Sequence, residues 1–513
     1  MKRFFLICTI CSLVFLSGTA VSHVDTRETG VFLTEPSSAK QERYEVAFMR
    51  RLRRILGGQR AGQQEEGTYQ GTPAELGQGE KIVARTERHF GGDMLWYGIQ
   101  SERTNPRTLE IFKKQFQTLG MEIARFDVYW GLTEPKKGVF NWDLTDDLVN
   151  TVSPDTEILM TLYSTNAWGS KYNECRELAE KQVKRSVINE PPSSLPNNME
   201  DYIDFLEAIV SRYKGRVKYW QIENEIFGAK TRTPQCPPIN RFWLGTPEEY
   251  LQLLKTSYQT IKRVDPTATV FASSYTFEPW NGTLTEFYRY ILDKGRNYTD
   301  LWDLHLYLGV AEDPQKIQAV KNEMKRLGYS KPLWSTESGE IDIDYAKYKR
   351  FKGNLTAREA LKYQSEDLVK RYVQAFGEGV EKVFRLRVSP LGSREGPENR
   401  WSHMSLTNDQ EGNNRRPAYY TYQIMYSKLA RFDTVQRLSS GLYKFTVDGK
   451  TVVVAWSDSG QKTLDLSSHF PNSQVKLTHI ITEPGATNRD AKTETTSPRQ
   501  VAVGQAPIFI EEA

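Results

Sequence analysis

Cysteine and histidine are scarce in this chain, with four and six among 513 residues. Cys8 and Cys11 fall in an N-terminal segment with the pattern of a signal, which leaves only Cys175 and Cys236. Two cysteines with no companion histidine cluster do not provide metal-site spacing. No Gly-rich phosphate loop follows the first strand candidate, which counts against a doubly wound dinucleotide fold. No metal or cofactor is therefore expected. Long apolar runs are missing after the first 20 residues, so no integral membrane span is expected once those residues are removed. Charge of one sign is not in excess either. The 68 Lys and Arg against 64 Asp and Glu leave +4, spread along the chain, whereas a nucleic-acid partner requires a concentrated basic face.

The N-terminus has Lys2 and Arg3, then an apolar core over 4–16, then Ser17-Gly18-Thr19-Ala20-Val21-Ser22. This order is that of a secretory signal peptide, and it predicts removal of residues 1–22 and export to an extracellular or periplasmic space. At about 13 residues the core is too short to cross a bilayer. Residues 23–85 read as a flexible leader or linker. Within it, Val46, Met49, Leu52 and Leu56 have helical spacing, and Arg50, Arg51, Arg53 and Arg54 would make that helix basic. Residues 57–81 are rich in Gly, Gln and Glu.

From about residue 90, short apolar runs alternate with helical segments, the rhythm of a parallel sheet covered by helices. Strand candidates lie at 94–99, 122–128, 157–163, 217–223, 269–272, 301–306, 332–337 and 382–388. Between them the spacing predicts helices over 106–119, 199–213, 247–264, 284–293, 314–327 and 357–376, with a last one over 418–430. Pro106 and Pro247 suit a first helical turn, and Thr246 suits a cap. Residues 86–432 thus predict an α/β fold, a (β/α)8 TIM barrel. Residues 433–513 become all-β, with Asp448-Gly449 as a hairpin turn, and predict a small antiparallel β-sandwich. In such a barrel Cys175 and Cys236 fall in the loops after strands three and four, neighbours on one face, where an exported protein can pair them.

Two strands end in a way that stability does not explain. Lys218-Tyr219-Trp220-Gln221-Ile222 runs into Glu223-Asn224-Glu225, and Pro332-Leu333-Trp334-Ser335-Thr336 runs into Glu337. An unpaired buried carboxylate is costly. Glu225 and Glu337 at one end of a barrel make the pair that glycosidic cleavage requires: one carboxyl protonates the leaving oxygen, and the other attacks the anomeric carbon or activates water. Either Glu alone is equally a helix-starting or loop carboxylate, and it is the pair that carries the signal. Glu223 is a rival, because strand alternation points it the same way as Glu225, one layer deeper. Glu134 and Glu340 sit in loops beyond the strand ends.

Asn224-Glu225 and Thr336-Glu337 resemble the acid/base and nucleophile motifs of clan A glycoside hydrolases. Arg125 in Ala124-Arg125-Phe126-Asp127, the segment WGLTEPKKGVFNW over 130–142, and His305 and Tyr307 in DLHLYLG are similar to further motifs of that clan. The likeness covers about residues 94–400. With its C-terminal sandwich the chain resembles family 39, with family 5 and family 79 as alternatives. The resemblance implies a retaining enzyme that cleaves β-glycosidic bonds of an oligo- or polysaccharide, with Glu225 as acid/base and Glu337 as nucleophile. It also implies that Asn224 binds the sugar 2-hydroxyl, and that Arg125 and Tyr307 keep Glu337 ionised. His305 reads as a pocket residue or a core histidine. Trp130, Trp168 and Trp401, after strands two, three and eight, read as sugar platforms or as packing. A transglycosylase using the same carboxylates, or a carbohydrate-binding barrel without catalysis, are the alternative functions.

Overall fold

The computed structural model describes residues 77–93, 106–175, 193–226, 230–233, 236–240, 242–276, 282–307, 309–340, 356–389, 404–409, 412–471 and 474–513. The expected signal, the basic segment 42–56 and Trp401 lie outside the described residues. Eight strands make the barrel: β1 (Phe90–Asp93), β2 (Ile123–Tyr129), β3 (Glu157–Tyr163), β4 (Tyr219–Ile222), β5 (Thr269–Ala272), β6 (Trp302–Tyr307), β7 (Leu333–Gly339) and β8 (Val380–Arg385). They run parallel in the order β5-β4-β3-β2-β1-β8-β7-β6. Just beyond β5 the chain pairs again, now with β6, through Tyr275–Thr276. The two edges of the sheet are therefore consecutive stretches of one segment, which closes the ring.

Strand alternation builds the interior in layers. Ile123, Leu159, Tyr219, Phe271, Leu301, Trp334 and Phe384 form one apolar layer. Two residues further along, on the same face, come Arg125, Thr161, Gln221 and Asp303, so a polar layer lies directly above the apolar one. The sequence reading placed the first strand at 94–99, but the strand is Phe90–Asp93, and 94–99 lies outside the described residues. Its Phe-Gly-Gly-Asp sequence has little strand propensity. The glycines are there for space: a Cβ on Gly91 would lie 2.4 Å from the Phe384 ring, and one on Gly92 would lie 2.4 Å from Met121 Sδ.

The outer helices follow their sequence signals. Helices Pro106–Leu119, Met199–Tyr213 and Pro247–Val264 begin and end where spacing and caps place them, and Thr246 and Glu249 close a reciprocal capping box. Beyond the last helix, Pro417–Leu429, an antiparallel sheet forms with Phe432–Ser439, Leu442–Val447, Lys450–Ala455, Ile508–Glu512, Val475–His479 and Thr493–Thr496 in that order. Asp448 and Gly449 both take left-handed backbone conformations, as a two-residue type I′ hairpin requires. A short ladder, Lys462–Leu464 with Val501–Val503, covers one face and encloses a second core of Val453, Phe470, Leu477 and Ile510. The leader is shorter than expected. Lys81–Val83, read as linker, pairs antiparallel with Thr434–Gln436 as the edge strand of this sheet.

Candidate active site

Arg125, on β2, is the centre of the polar layer and is fully buried. A buried guanidinium needs acceptors for its fork of donors, and Arg125 has five. Nη1 donates to Asp93 Oδ2 (2.7 Å) and Glu337 Oε1 (2.6 Å), Nη2 to Asn224 Oδ1 (3.0 Å) and Gln221 Oε1 (3.2 Å), and Nε to Thr161 Oγ1 (3.0 Å). Burial alone would weaken its charge, but Asp93 and Glu337 more than offset that and hold it protonated. One side chain from β2 thus ties together the C-terminal ends of β1, β4 and β7.

Strand alternation breaks on both strands that carry the expected catalytic carboxylates. On β7, Trp334 points into the barrel, so alternation would also turn Thr336 inward and Glu337 outward. Between Asp303↔Trp334 and His305↔Glu337, however, β6 advances two residues and β7 three. The same extra residue shows against β8, between Ser335 and Ser338. This bulge lets both Thr336 and Glu337 face inward. Thr336 N and Oγ1 bind Asp303 (2.8 and 2.5 Å), while Glu337 takes Arg125 and the Tyr307 hydroxyl, the latter at 2.5 Å. On β4 the regular strand stops at Ile222, and Glu223 and Glu225 adopt φ of 66° and 48°. Left-handed backbone at two carboxylates within three residues is strained, and such strain collects at functional sites.

That turn corrects the expected position of Glu223. Its carboxyl does not lie beneath Glu225 in the barrel. It binds Ser164 on the helix side of the sheet and is influenced by Tyr202 and Tyr250, which come from the helices Met199–Tyr213 and Pro247–Val264.

His305 joins the two carboxylates. Its Nδ1 lies 2.8 Å from Glu225 Oε1 and 3.2 Å from Glu337 Oε2, and its Nε2 faces Thr336 Oγ1 (3.3 Å) and Asp303 Oδ2 (3.6 Å). Burial would lower its basicity, yet the surrounding Glu337, Asp303 and Glu225 carboxylates push it up to about 10. The surrounding carboxylates thus favour the protonated ring, which lies between Glu225 and Glu337. One atom each of Glu225, His305 and Glu337 lie within 4.8 Å of one another. Among the described residues this is the one group whose spacing would suit a metal ion, and Arg125 and Tyr307 already donate to the two oxygens of Glu337.

The structure brings together Arg125, Asn224, Glu225, His305, Tyr307 and Glu337. The structure favours packing over a sugar platform for Trp130. It is fully buried between the sheet and the helix Met199–Tyr213, packed on Tyr202 and Phe205, with its Nε1 bonded to Glu134 Oε2 (2.7 Å). It is packing, as is Glu134, which also accepts from Gly138 N. Trp168 packs edge-on against Trp130, donates to Glu134 O (2.9 Å) and remains partly exposed. Glu340 is a structural partner of Arg385 and Gln364.

Asp93, Thr161, Gln221, Ser274, Asp303 and Thr336 were missed. For Asp303 and Gln221 a signal existed: both are polar residues at inward positions inside otherwise apolar strands. Cys175 and Cys236 are joined, S–S 2.10 Å, clipping the segment after β3 to that after β4, and the two segments share a small sheet of Ser193–Ser194, Trp243–Leu244, Cys236–Asn240 and Lys230–Thr233.

Residues 88–389 match the model of glycosyl hydrolase family 10. This family is not one of the three named from the motifs, but the motifs and the match agree on a clan A glycoside hydrolase. Among curated proteins, the chain is 24% identical over 204 residues to Beta-galactosidase LacA of Lactobacillus acidophilus. That match covers 37% of this chain and 28% of the relative, so the chain spans less than a third of the curated relative's length. Among solved structures, a family 39 glycoside hydrolase from Bacteroides cellulosilyticus WH2 superposes with TM-score 0.55 at 16% identity, covering 83% of this chain and 81% of that one. A glucosidase from Croceicoccus marinus gives 0.52 at 11% identity, over 85% and 97%. At these identities the two structures show the shared fold alone.

Proposed function

The chain belongs to glycosyl hydrolase family 10 and is a glycoside hydrolase of clan A; from that premise we propose that it cleaves β-glycosidic bonds with retention, by double displacement. The observation that carries this is the spacing of the carboxylates, with oxygens of Glu225 and Glu337 within 4.8 Å. A nucleophile must touch the anomeric carbon from one face while the acid reaches the leaving oxygen from the other, which needs carboxyls about 5–5.5 Å apart. An inverting site holds a water between them and needs roughly 6.5–9.5 Å.

In this reading Glu337 is the nucleophile. Arg125 and Tyr307 donate to its two oxygens and orient the carboxyl group. Glu225 is the acid and then the base. Asn224 has its Oδ1 anchored by Arg125 and Ser274, so its amide NH2 serves as the donor to the sugar 2-hydroxyl. His305 Nδ1, near an oxygen of each, holds Glu225 and Glu337 in place relative to one another, and Trp168 is the remaining aromatic platform among the described residues. The partner is an oligo- or polysaccharide. The Cys175–Cys236 bond and the N-terminal signal pattern support export to an oxidising compartment.

The test is product stereochemistry. Aryl β-galactoside, β-glucoside, β-xyloside, β-mannoside and β-glucuronide are offered, and the first product of whichever is cleaved is followed by proton NMR. The β-anomer of the sugar should appear first and mutarotate later. An α-anomer first would show inversion and remove the nucleophile role from Glu337.

A further inference from the structure

We propose that Glu223 is a positioning residue whose carboxyl, bonded to Ser164, holds the left-handed turn that presents Asn224 and Glu225 to the substrate. The inference rests on Glu225 being the acid/base. Three observations carry it.

First, the turn needs an anchor. An L-residue held in left-handed backbone is strained, and Glu223 and Glu225 both sit there. Glu223 is the only one of the pair whose side chain faces away from the pocket. Its Oε1 is 2.7 Å from both Ser164 N and Ser164 Oγ. Ser164 directly follows β3, so this contact fixes the end of β4 to the end of β3 beyond the last ladder bond, Glu223 N to Leu162 O (2.9 Å).

Second, the contact continues outward. Ser164 Oγ is also 2.9 Å from Ser194 O, and Ser194 belongs to the small sheet clipped by Cys175–Cys236. The turn is therefore braced from β3 and from the small sheet that the segments after β3 and β4 share.

Third, the brace adds little charge to the site. Burial lifts the Glu223 carboxyl from the ordinary range to about 7, against the opposing bonds from Ser164 and Ser193. Its uncharged form adds no charge beside the two working carboxylates.

The test exploits the leaving group. A phenyl β-glycoside needs its oxygen protonated as it departs, whereas a 2,4-dinitrophenyl β-glycoside of the same sugar does not. Both probes carry the sugar that the wild-type enzyme cleaves fastest. Glu223→Ala is expected to lower kcat/KM on the phenyl glycoside by on the order of 10²-fold, the cost of a misplaced catalytic group. On the dinitrophenyl glycoside kcat/KM should stay near wild type, and azide, which needs no base, should accelerate its turnover. Glu223→Gln, an uncharged isostere, should restore most of the phenyl activity. Ser164→Ala should show a weaker form of the same split and carries the test if Glu223→Ala does not fold.

A Glu223→Ala or Ser164→Ala enzyme that loses both substrates equally, or neither, overturns the proposal. Glu225→Ala is the reference. If it shows no leaving-group split, the acid/base reading fails; if it does and the Glu223 and Ser164 variants do not, only this inference fails.

Discussion

Glu337→Ala is expected to lower turnover of an aryl β-glycoside by on the order of 10⁴-fold or more, since it removes the covalent step itself rather than one proton transfer, which alone contributes about 10²–10⁴-fold. Glu225→Ala should cost about as much on a poor leaving group and far less on dinitrophenolate. Added azide separates the two roles. Without the Glu337 carboxylate, azide fits the space it vacates and attacks from the α face, giving an α-glycosyl azide. Without Glu225, the glycosyl-enzyme still forms, and azide takes the place of water on the β face, giving a β-glycosyl azide. The two azides are distinguished by the anomeric coupling in their NMR spectra. The same azide from both variants, or none from either, would contradict the assignment.

The second large effect is on folding. Arg125→Met keeps the volume but removes the cation from a layer where Asp93 is 2% and Glu337 4% exposed. Two carboxylates would be left without their shared guanidinium, and Asn224, Gln221 and Thr161 would each lose one hydrogen bond. Removing one partner of a buried charge network costs about 3–5 kcal/mol, because the surviving charge stays desolvated. Urea unfolding at neutral pH should show a loss of that size together with loss of activity. A change below about 1 kcal/mol, the size expected of an exposed pair, would mean that water or another cation reaches this layer and that Arg125 does not organise it.

Much of this was legible in the sequence, and the failures trace to irregular backbone or to contacts with residues distant in the chain. The barrel strands, their order and the helices between them follow from periodicity, and the capping box at Thr246 follows from its residues. Arg125, Glu225, His305, Tyr307 and Glu337 converge as their motifs imply. Periodicity is a rule about regular backbone, and it fails where the backbone is irregular. The bulge before Glu337 and the turn at Glu223 leave no local mark, so alternation misplaces Glu223 and gives no hint of how Glu337 turns inward. β1 was missed because Gly91 and Gly92 make room for Phe384 and Met121, a demand set by distant residues. Trp130 follows a strand end as a platform would, but helix Met199–Tyr213 covers it, and nothing in its neighbours along the chain reports that. Lys81–Val83 is too short and polar to be read as a strand before its partner at 434–436 is known.

The central claim is that Glu337 forms a covalent bond to sugar. A 2-deoxy-2-fluoro glycoside tests it directly, because fluorine at C2 destabilises the oxocarbenium-like transition states of both steps. A dinitrophenyl leaving group restores only the first step, so the glycosyl-enzyme accumulates. Incubated with the fluorinated form of the sugar it cleaves, the protein should gain one fluorosugar mass, and peptide mass spectrometry should place it on Glu337. A label on Glu225 or Glu223, or an unlabelled protein that still hydrolyses the parent glycoside, would contradict the account.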